Sequence, residues 1–439
     1  MNMKREERTF NTNFILFLLG RVVSDTGTSI QMMIMPLYII DAGGSAATIG
    51  VYSFFSLLPA LLVYPFAGVL GDRLNRKTIM VITDFMSAGV IVALGILSYL
   101  GMMRISLLLI VQVIISLLNG LFEPATRGML PQLVDKDALA RSNSIVSSTR
   151  TAALLLGPVI SAALYAGFGI TMVFFVNGIS FLLSGTSEMM IRYTHVKRQA
   201  AGGISGIFND LLEGIKFILT NNIIRNLCYF FLVIYFIIQP IFSVIIPLFF
   251  KTHLQYSDVY YGYLQTIIIL GALLGSVSVG FLFGKEGKVS KSLVVGSTLL
   301  LSTMLAFSVL IFPRSLLLLG NDTILYFALL AGVLSLFSAA NIFISVPVQT
   351  YIQRETPNEY MSRVFSLVSM ISRGGIPLGA LVYGIVLERV EMHWTVLAVA
   401  LLMLFISVGF VTSLLKHNPE ESKTEAKDLL NALFPKVKD

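Results

Sequence analysis

Gly68-Val69-Leu70-Gly71-Asp72-Arg73-Leu74-Asn75-Arg76-Lys77 puts four charges into six consecutive positions, 72–77, between two apolar runs. The 439 residues around it are 56% hydrophobic and 13% charged, about half the charge of an ordinary soluble domain. Most apolar runs exceed the length of a buried strand and lack strand alternation. Backbone groups in lipid must satisfy one another, which leaves helix bundles and closed barrels, and non-alternating runs exclude the barrel. The reading is a polytopic helical membrane protein in which 68–77 is a charged connection between two spans.

Working outward, apolar runs fall at about 14–40, 46–70, 79–100, 105–126, 143–166 and 170–190, then at about 223–249, 260–283, 291–312, 323–349, 362–387 and 392–415. The expected fold is all-α, with twelve transmembrane helices in two pseudo-symmetric six-helix bundles. Its parts are a first bundle at 1–190, a cytoplasmic linker at 191–222, a second bundle at 223–415 and a cytoplasmic tail at 416–439. The linker's apolar spacing from Ile207 to Leu219 fits an amphipathic surface helix or an extension of the seventh span. With the N-terminus inside, 24 of the 31 Lys and Arg lie in inner segments, and Arg104, Lys251, Arg314 and Arg389 are the outer ones. That bias places both termini in the cytoplasm. A shift of 222 residues superposes Arg141 on Arg363, Ser144 on Ser366, Val146 on Val368, Ser147 on Ser369 and Gly157 on Gly379. Parallel halves of this kind occur in secondary transporters.

The segment Gly68 to Lys77 resembles the signature G-x-x-x-D-R-x-x-R-K of the major facilitator superfamily, between spans two and three. Asn75 stands where many members have glycine, and asparagine also tolerates a tight or left-handed turn. The resemblance implies a cytoplasmic latch, with Asp72 and Arg73 as gating residues supported by Arg76 and Lys77. The matching region of the second half, Gly280 to Lys291, lacks the Asp-Arg pair, which implies asymmetric gating. Phe122-Glu123-Pro124-Ala125, Leu130-Pro131 and Arg141-Ser142-Asn143-Ser144 resemble a bacterial drug:proton antiporter branch that includes macrolide-efflux and enterobactin-exporter types. Gly157-Pro158 partly matches a glycine-proline motif of span five in such antiporters. It fits a moving helix at a gate or simple close packing.

Ionisable residues at membrane depth are functional candidates. Arg21 and Asp25 share a helix face at i,i+4, as a proton-exchanging unit or a fixed ion pair. Asp25, Glu123 and Asp84 are the proton-coupling candidates, with Asp84 placed to meet Arg127 or the Arg21–Asp25 pair. Glu123 also reads as a headgroup charge. Arg150 and Arg373 can pair with a carboxylate, bind an anionic group or snorkel. Candidate cavity residues are Gln31, Met32 and Met35 on span one, Tyr235 and Gln239 on span seven, Asn341, Ser345 and Gln349 on span ten, and Arg373 on span eleven. Methionines and aromatics with few amides suit lipophilic shapes.

No cofactor or metal is expected, because Cys228 is the single cysteine and the four histidines lack ligand spacing. The +7 net charge reads as topology rather than nucleic-acid binding. No Ser-His-Asp set, HExxH or Walker A motif supports an enzyme or a direct use of ATP. The expectation is a monomeric secondary transporter of a bacterial cytoplasmic (inner) membrane. It would export lipophilic or amphipathic small molecules in exchange for protons by alternating access, with membrane lipid as its other partner. An exporter or flippase of one physiological amphiphile, such as a siderophore or lysophospholipid, fits the same residues. A non-transporting enzyme or receptor is disfavoured.

Overall fold

The computed structural model describes residues 11–73, 75–192, 212, 215, 216, 218–283, 289–355 and 361–417. The linker helix expected between Ile207 and Leu219 lies mostly outside them. No strand occurs among the described residues. The helices are α1 (Thr12–Asp41), α2 (Ala46–Arg73), α3 (Arg76–Tyr99), α4 (Ile105–Leu133), α5 (Leu139–Met189), α6 (Asn222–Pro240), α7 (Ile246–His253), α8 (Asp258–Phe283), α9 (Val289–Ile311), the short α10 (Pro313–Leu319), α11 (Ile324–Glu355), α12 (Met361–Leu387) and α13 (Met392–His417). A π-turn, Ile241–Ile245, joins α6 to α7.

Nine stretches among the described residues are long and apolar enough to cross a membrane, the longest being Arg141–Met189. That stretch contains two spans: Gly169 has φ 73° and ψ −178°, a conformation outside the reach of an L-residue, and divides α5. At 1.5 Å per residue, the 30 residues of α1 reach about 45 Å and the 26 of α13 about 39 Å. Both exceed a hydrocarbon core of about 30 Å. With these, the described residues hold twelve membrane-length helices, as the apolar runs predict.

Local chemistry sets the helix ends. The Asn11 side chain accepts from the Phe14 N–H at 2.8 Å and caps α1, and its Nδ2 donates to the Leu133 carbonyl at 2.6 Å. Asn75 caps α3 in the same way, accepting from the Lys77 N–H at 3.0 Å with φ −66°. Asparagine is therefore used here as a cap and not for a left-handed turn. Proline shapes the seventh span. Pro240 brings no N–H, the chain widens into the π-turn, and the nearby Ile237 carbonyl accepts from the Tyr383 hydroxyl at 2.8 Å.

Packing groups Met1–Thr266 with Thr356–Val390 as one compact unit, and Ile267–Glu355 with Glu391–Asp439 as another. In the first, α1 lies along both halves of α5, α3 packs on α5 and α4, and α2 packs on α4 and α12, with α12 also along α6. A hydroxyl is inserted into α2. Ser116 accepts from the Ala60 N–H at 3.1 Å and donates to the Ser56 carbonyl at 3.0 Å, bridging a pair that a regular helix bonds directly. In the second unit, α9 packs against α11 and α13.

The repeat seen in sequence has a counterpart in packing. A Cβ on Gly157 would lie 2.1 Å from Ser29 Oγ of α1, and one on Gly379 would lie 2.1 Å from the Phe236 carbonyl of α6. These aligned glycines thus each let one helix approach another closely: α5 on α1, and α12 on α6.

Candidate functional site

The short connections at 42–45, 74–75 and 100–104 make α1 to α4 run up and down. One end of the first unit therefore carries Asn11, Arg73, Arg76 and Leu133, and the other carries Asp41, Ala46 and Tyr99. A charge network lies a few turns in from the Arg76 end. Arg21 Nη2 is 3.2 Å from Asp25 Oδ1 and 3.7 Å from Glu123 Oε1, while Glu123 also meets Arg150 at 3.2 Å and Arg127 at 3.6 Å. Arg21 is 4% exposed, and its guanidinium stands 5.3 Å from the Phe122 ring centroid. Arg127 and Arg150 are exposed. Glu123 is thus the centre of a cationic cluster rather than a headgroup charge. The charge of Arg373, exposed on α12, also acts on Glu123, and on Tyr64 and Tyr235 of α2 and α6.

Asp84 is in none of these ion pairs, although the charges of Arg21 and Asp25 act on it. It is buried against α5, where a Cβ on Gly185 would lie 3.4 Å from Asp84 Cβ and Ser184 offers it a hydroxyl; the acid acting on it from the same helix is one that sequence reasoning passed over, Glu188. Glu188 invites reading as a surface acid, three positions from the end of an apolar run and four before Arg192. Yet α5 ends at Met189, and Glu188 is 0% exposed.

The gating residues divide. Arg76 Nη1 donates to the Gly128 carbonyl, docking the start of α3 on the end of α4; a Cβ on Gly128 would lie 2.6 Å from Arg76 Cζ. Lys77 contributes its backbone N–H to the Asn75 cap. Asp72 and Arg73 occupy the last turn of α2, and their side chains lie outside the described residues. Gly157 and Pro158 sit in a packed seam. The Pro158 carbonyl would be 2.6 Å from a Cβ on Gly262 of α8, and Thr266 donates to the Leu155 carbonyl at 3.1 Å.

The cavity candidates also separate. Gln31 accepts from Asn177 at 2.7 Å and is buried between α1 and α5, Met35 is fully enclosed, and Met32 is exposed. Tyr235 stacks on Phe231, with ring centroids 5.8 Å apart, and Gln239 is half-buried one turn on. Asn341, Ser345 and Gln349 lie on α11 in the second unit, half-buried, buried and exposed in turn.

A second charged set occupies the Asp41 end. Lys251 Nζ lies 2.8 Å from Asp41 and 2.7 Å from Asp258, Tyr165 donates to Asp41 at 2.6 Å, and Lys251 stands 5.8 Å from the Tyr165 ring centroid. These four residues tie together α1, α5, α7 and α8. Nearby, Glu388 accepts from the Ala47 N–H at 3.2 Å; this bond and one to Ser45, the stronger influence, hold its carboxyl below the ordinary glutamate value. Here α2 and α12 meet in a tight seam: a Cβ on Gly50 would be 2.5 Å from the Ala380 carbonyl, and one on Gly384 would be 2.8 Å from the Ala46 carbonyl. In sequence these residues are ordinary loop-edge charges and glycines. The signal available was that Lys251, among few outer cations, has an acid near it at the ends of adjoining spans.

Membrane-length helices with charged residues paired among them define a multi-span membrane protein. The sequence profile of the Major Facilitator Superfamily matches residues 17–380, and the chain belongs to that family. It is similar to macrolide efflux protein A of Streptococcus pyogenes, 23% identical over 390 residues covering 88% of this chain and 92% of that protein. It is also similar to the multidrug efflux pump Tap of Mycolicibacterium fortuitum, 22% identical over 403 residues covering 90% and 94%. Among solved structures, the nucleoside transporter NupG matches with TM-score 0.72 at 14% identity, covering 92% of this chain and 99% of that one. A bacterial homologue of the iron transporter ferroportin, in an inward-facing state, matches with TM-score 0.67 at 15% identity, covering 91% and 98%. These structures share the fold. The protein is a transporter and not an enzyme.

Proposed function

We propose that this transporter exports lipophilic or amphipathic small molecules across the bacterial inner membrane by alternating access, in exchange for protons. The observation that carries the proposal is the pairing of two charged sets at opposite ends of one helix unit. Lys251 clamps the Asp41 end, while Arg21, Asp25 and Glu123 form a partly solvated network toward the Arg76 end. The bias of Lys and Arg supports putting the Arg76 end and both termini in the cytoplasm. On that assignment the Lys251 clamp lies at the outer end and the Arg21 network toward the inner one. The halves 1–190 and 223–415, joined by 191–222 and followed by the tail 416–439, would then move against each other.

Asp25 and Glu123 share Arg21, so neutralising either acid frees the guanidinium and lets the network rearrange. Asp72 and Arg73 with Arg76 and Lys77 serve as the inner latch, and Gly157 and Pro158 as a flexible seam. Candidate substrate contacts are Met32, Tyr235, Gln239 and Arg373 in the first unit and, separately, Asn341, Ser345 and Gln349 in the second. The names of the similar efflux proteins favour drug-like amphiphiles.

The protein reconstituted in sealed vesicles with an imposed proton gradient, and offered erythromycin, ethidium and a lysophospholipid, tests this. Gradient-driven movement of erythromycin or ethidium, impaired by Asp25→Asn, is expected. Flux indifferent to the gradient in the wild type would remove proton coupling.

A second reading is favoured by one observation. Four guanidiniums, from Arg21, Arg127, Arg150 and Arg373, act on Glu123, and Asp25 is the other acid ion-paired to Arg21. That excess suits an amphiphile with an anionic group, and preference for the lysophospholipid among the three probes would select it.

A further inference from the structure

Two more acids, Asp84 of α3 and Glu188 of α5, are buried within reach of Arg21's charge. Glu188 is 0% exposed and both of its carboxyl oxygens lack a hydrogen-bond partner; Asp84 is 2% exposed and its Oδ2 lacks one as well. The surroundings are built to bring them close. A Cβ on Gly20 of α1 would lie 3.2 Å from Ser184 Oγ and 3.5 Å from Glu188 Cγ, so this glycine admits the end of α5. Gly185, one residue past Ser184, admits Asp84 from α3.

The charged groups facing the pair are Arg21 and Asp25 from α1, with Glu123 and Arg127 from α4 and Arg150 from α5 beyond them. Arg21 is the cation acting on both buried acids, and it is already in contact with Asp25 and Glu123. Ser184 offers its hydroxyl to Asp84, but Glu188 has no donor of its own; an ionised carboxylate buried that way is among the costliest groups a protein can hold, and neutralisation is the usual escape.

We propose that Asp84 and Glu188 form a proton-binding site, a carboxyl pair holding one exchangeable proton next to Arg21. The inference deepens the reading of proton-coupled transport and rests on it for its role in the cycle. Release breaks one carboxyl O–H bond and hands the proton to water, leaving a carboxylate. Arg21 then turns from Asp25 and Glu123 toward that new charge. Binding of a proton reverses the step and returns Arg21 to the network. The pair is thus hidden from substrate while Arg21 reports its state to the groups around it.

Infrared spectroscopy of the purified full chain in detergent, with the proton as the only probe, tests the site directly. At neutral pH the wild type is expected to show the carbonyl stretch of a protonated carboxylic acid, shifting in heavy water. The band should be lost in Glu188→Gln and lost or displaced in Asp84→Asn. If Glu188→Gln does not fold, the wild-type band and its change in Asp84→Asn decide. An absent band, or one unchanged in the variants that fold, overturns the proposal.

Vesicle flux of erythromycin separates this inference from its parent. Gradient-driven flux in the wild type, falling to downhill exchange alone in both variants, supports the pair. Full coupling retained in both variants overturns the pair and leaves proton coupling standing. A wild type indifferent to the gradient overturns the coupling reading and the pair's role in transport with it, whatever the spectrum shows.

Discussion

Arg21 shows how one side chain can decide the state of several others. It is enclosed by α1, α4 and α5, touches Asp25 and Glu123, and acts on Asp84 and Glu188. Arg21→Leu removes a buried cation from acids that remain in place, and a loss of about 3 kcal/mol in stability is expected by denaturant or thermal unfolding in detergent. Arg21→Lys should recover part of it, since lysine restores the charge without the planar fork. At the other end, Glu388 is an exposed acid whose carboxyl is held below the ordinary glutamate value by Ser45 and the Ala47 N–H. A depressed carboxyl contributes stability above its unfolded value and loses it as pH falls through the folded one. Glu388→Gln should therefore melt earlier than the wild type at neutral pH, and the two curves should converge below about pH 4. Legibility differs among these residues. Arg21 and Asp25 could be paired from their i,i+4 spacing, and Glu123 was marked by its position beside Pro124. Glu188 was lost because a periodic pattern cannot show which way the last turn of a helix faces. Asn75 was noticed for the wrong geometry, because a cap and a tight turn select the same residue.

Among the elements, the glycine-lined seams are where sequence said least. Apolar runs and the basic bias predicted the helices, since length and composition alone separate a span from a loop. Which helices touch depends on small residues whose partners lie far along the chain, as Gly384 does from Ala46. The seam of α2 on α12 brings the backbones close enough that a Cβ at Gly384 would need a shift of main chain. Gly384→Val is expected to lower stability by about 1–3 kcal/mol by overpacking. In vesicles it should also slow transport while leaving substrate binding in place, read by flux alongside equilibrium binding of the transported probe. Gly157 and Gly379 show the opposite case. Their repeat was visible at a shift of 222 positions, and both serve as close-approach points between helices.

For the whole molecule, the account rests on two ends that cannot both be closed or both open. Lys251 with Asp41, Asp258 and Tyr165 clamps one end, and the Arg21 network lies toward the other. Cys228 is buried, so labelling on a Cys228→Ser background gives a clean reporter. Two single-cysteine proteins are needed. One carries Ser147→Cys, at an exposed position one turn before Arg150, and the other Ala380→Cys, at a fully buried position in the α2–α12 seam. The measurement is the rate at which each reacts with a membrane-impermeant maleimide in oriented vesicles, with and without Lys251→Met. The account predicts that breaking the clamp makes residue 380 reactive from the outer side while residue 147 becomes less reactive from the inner side. Both rates unchanged, or both rising together, would contradict it.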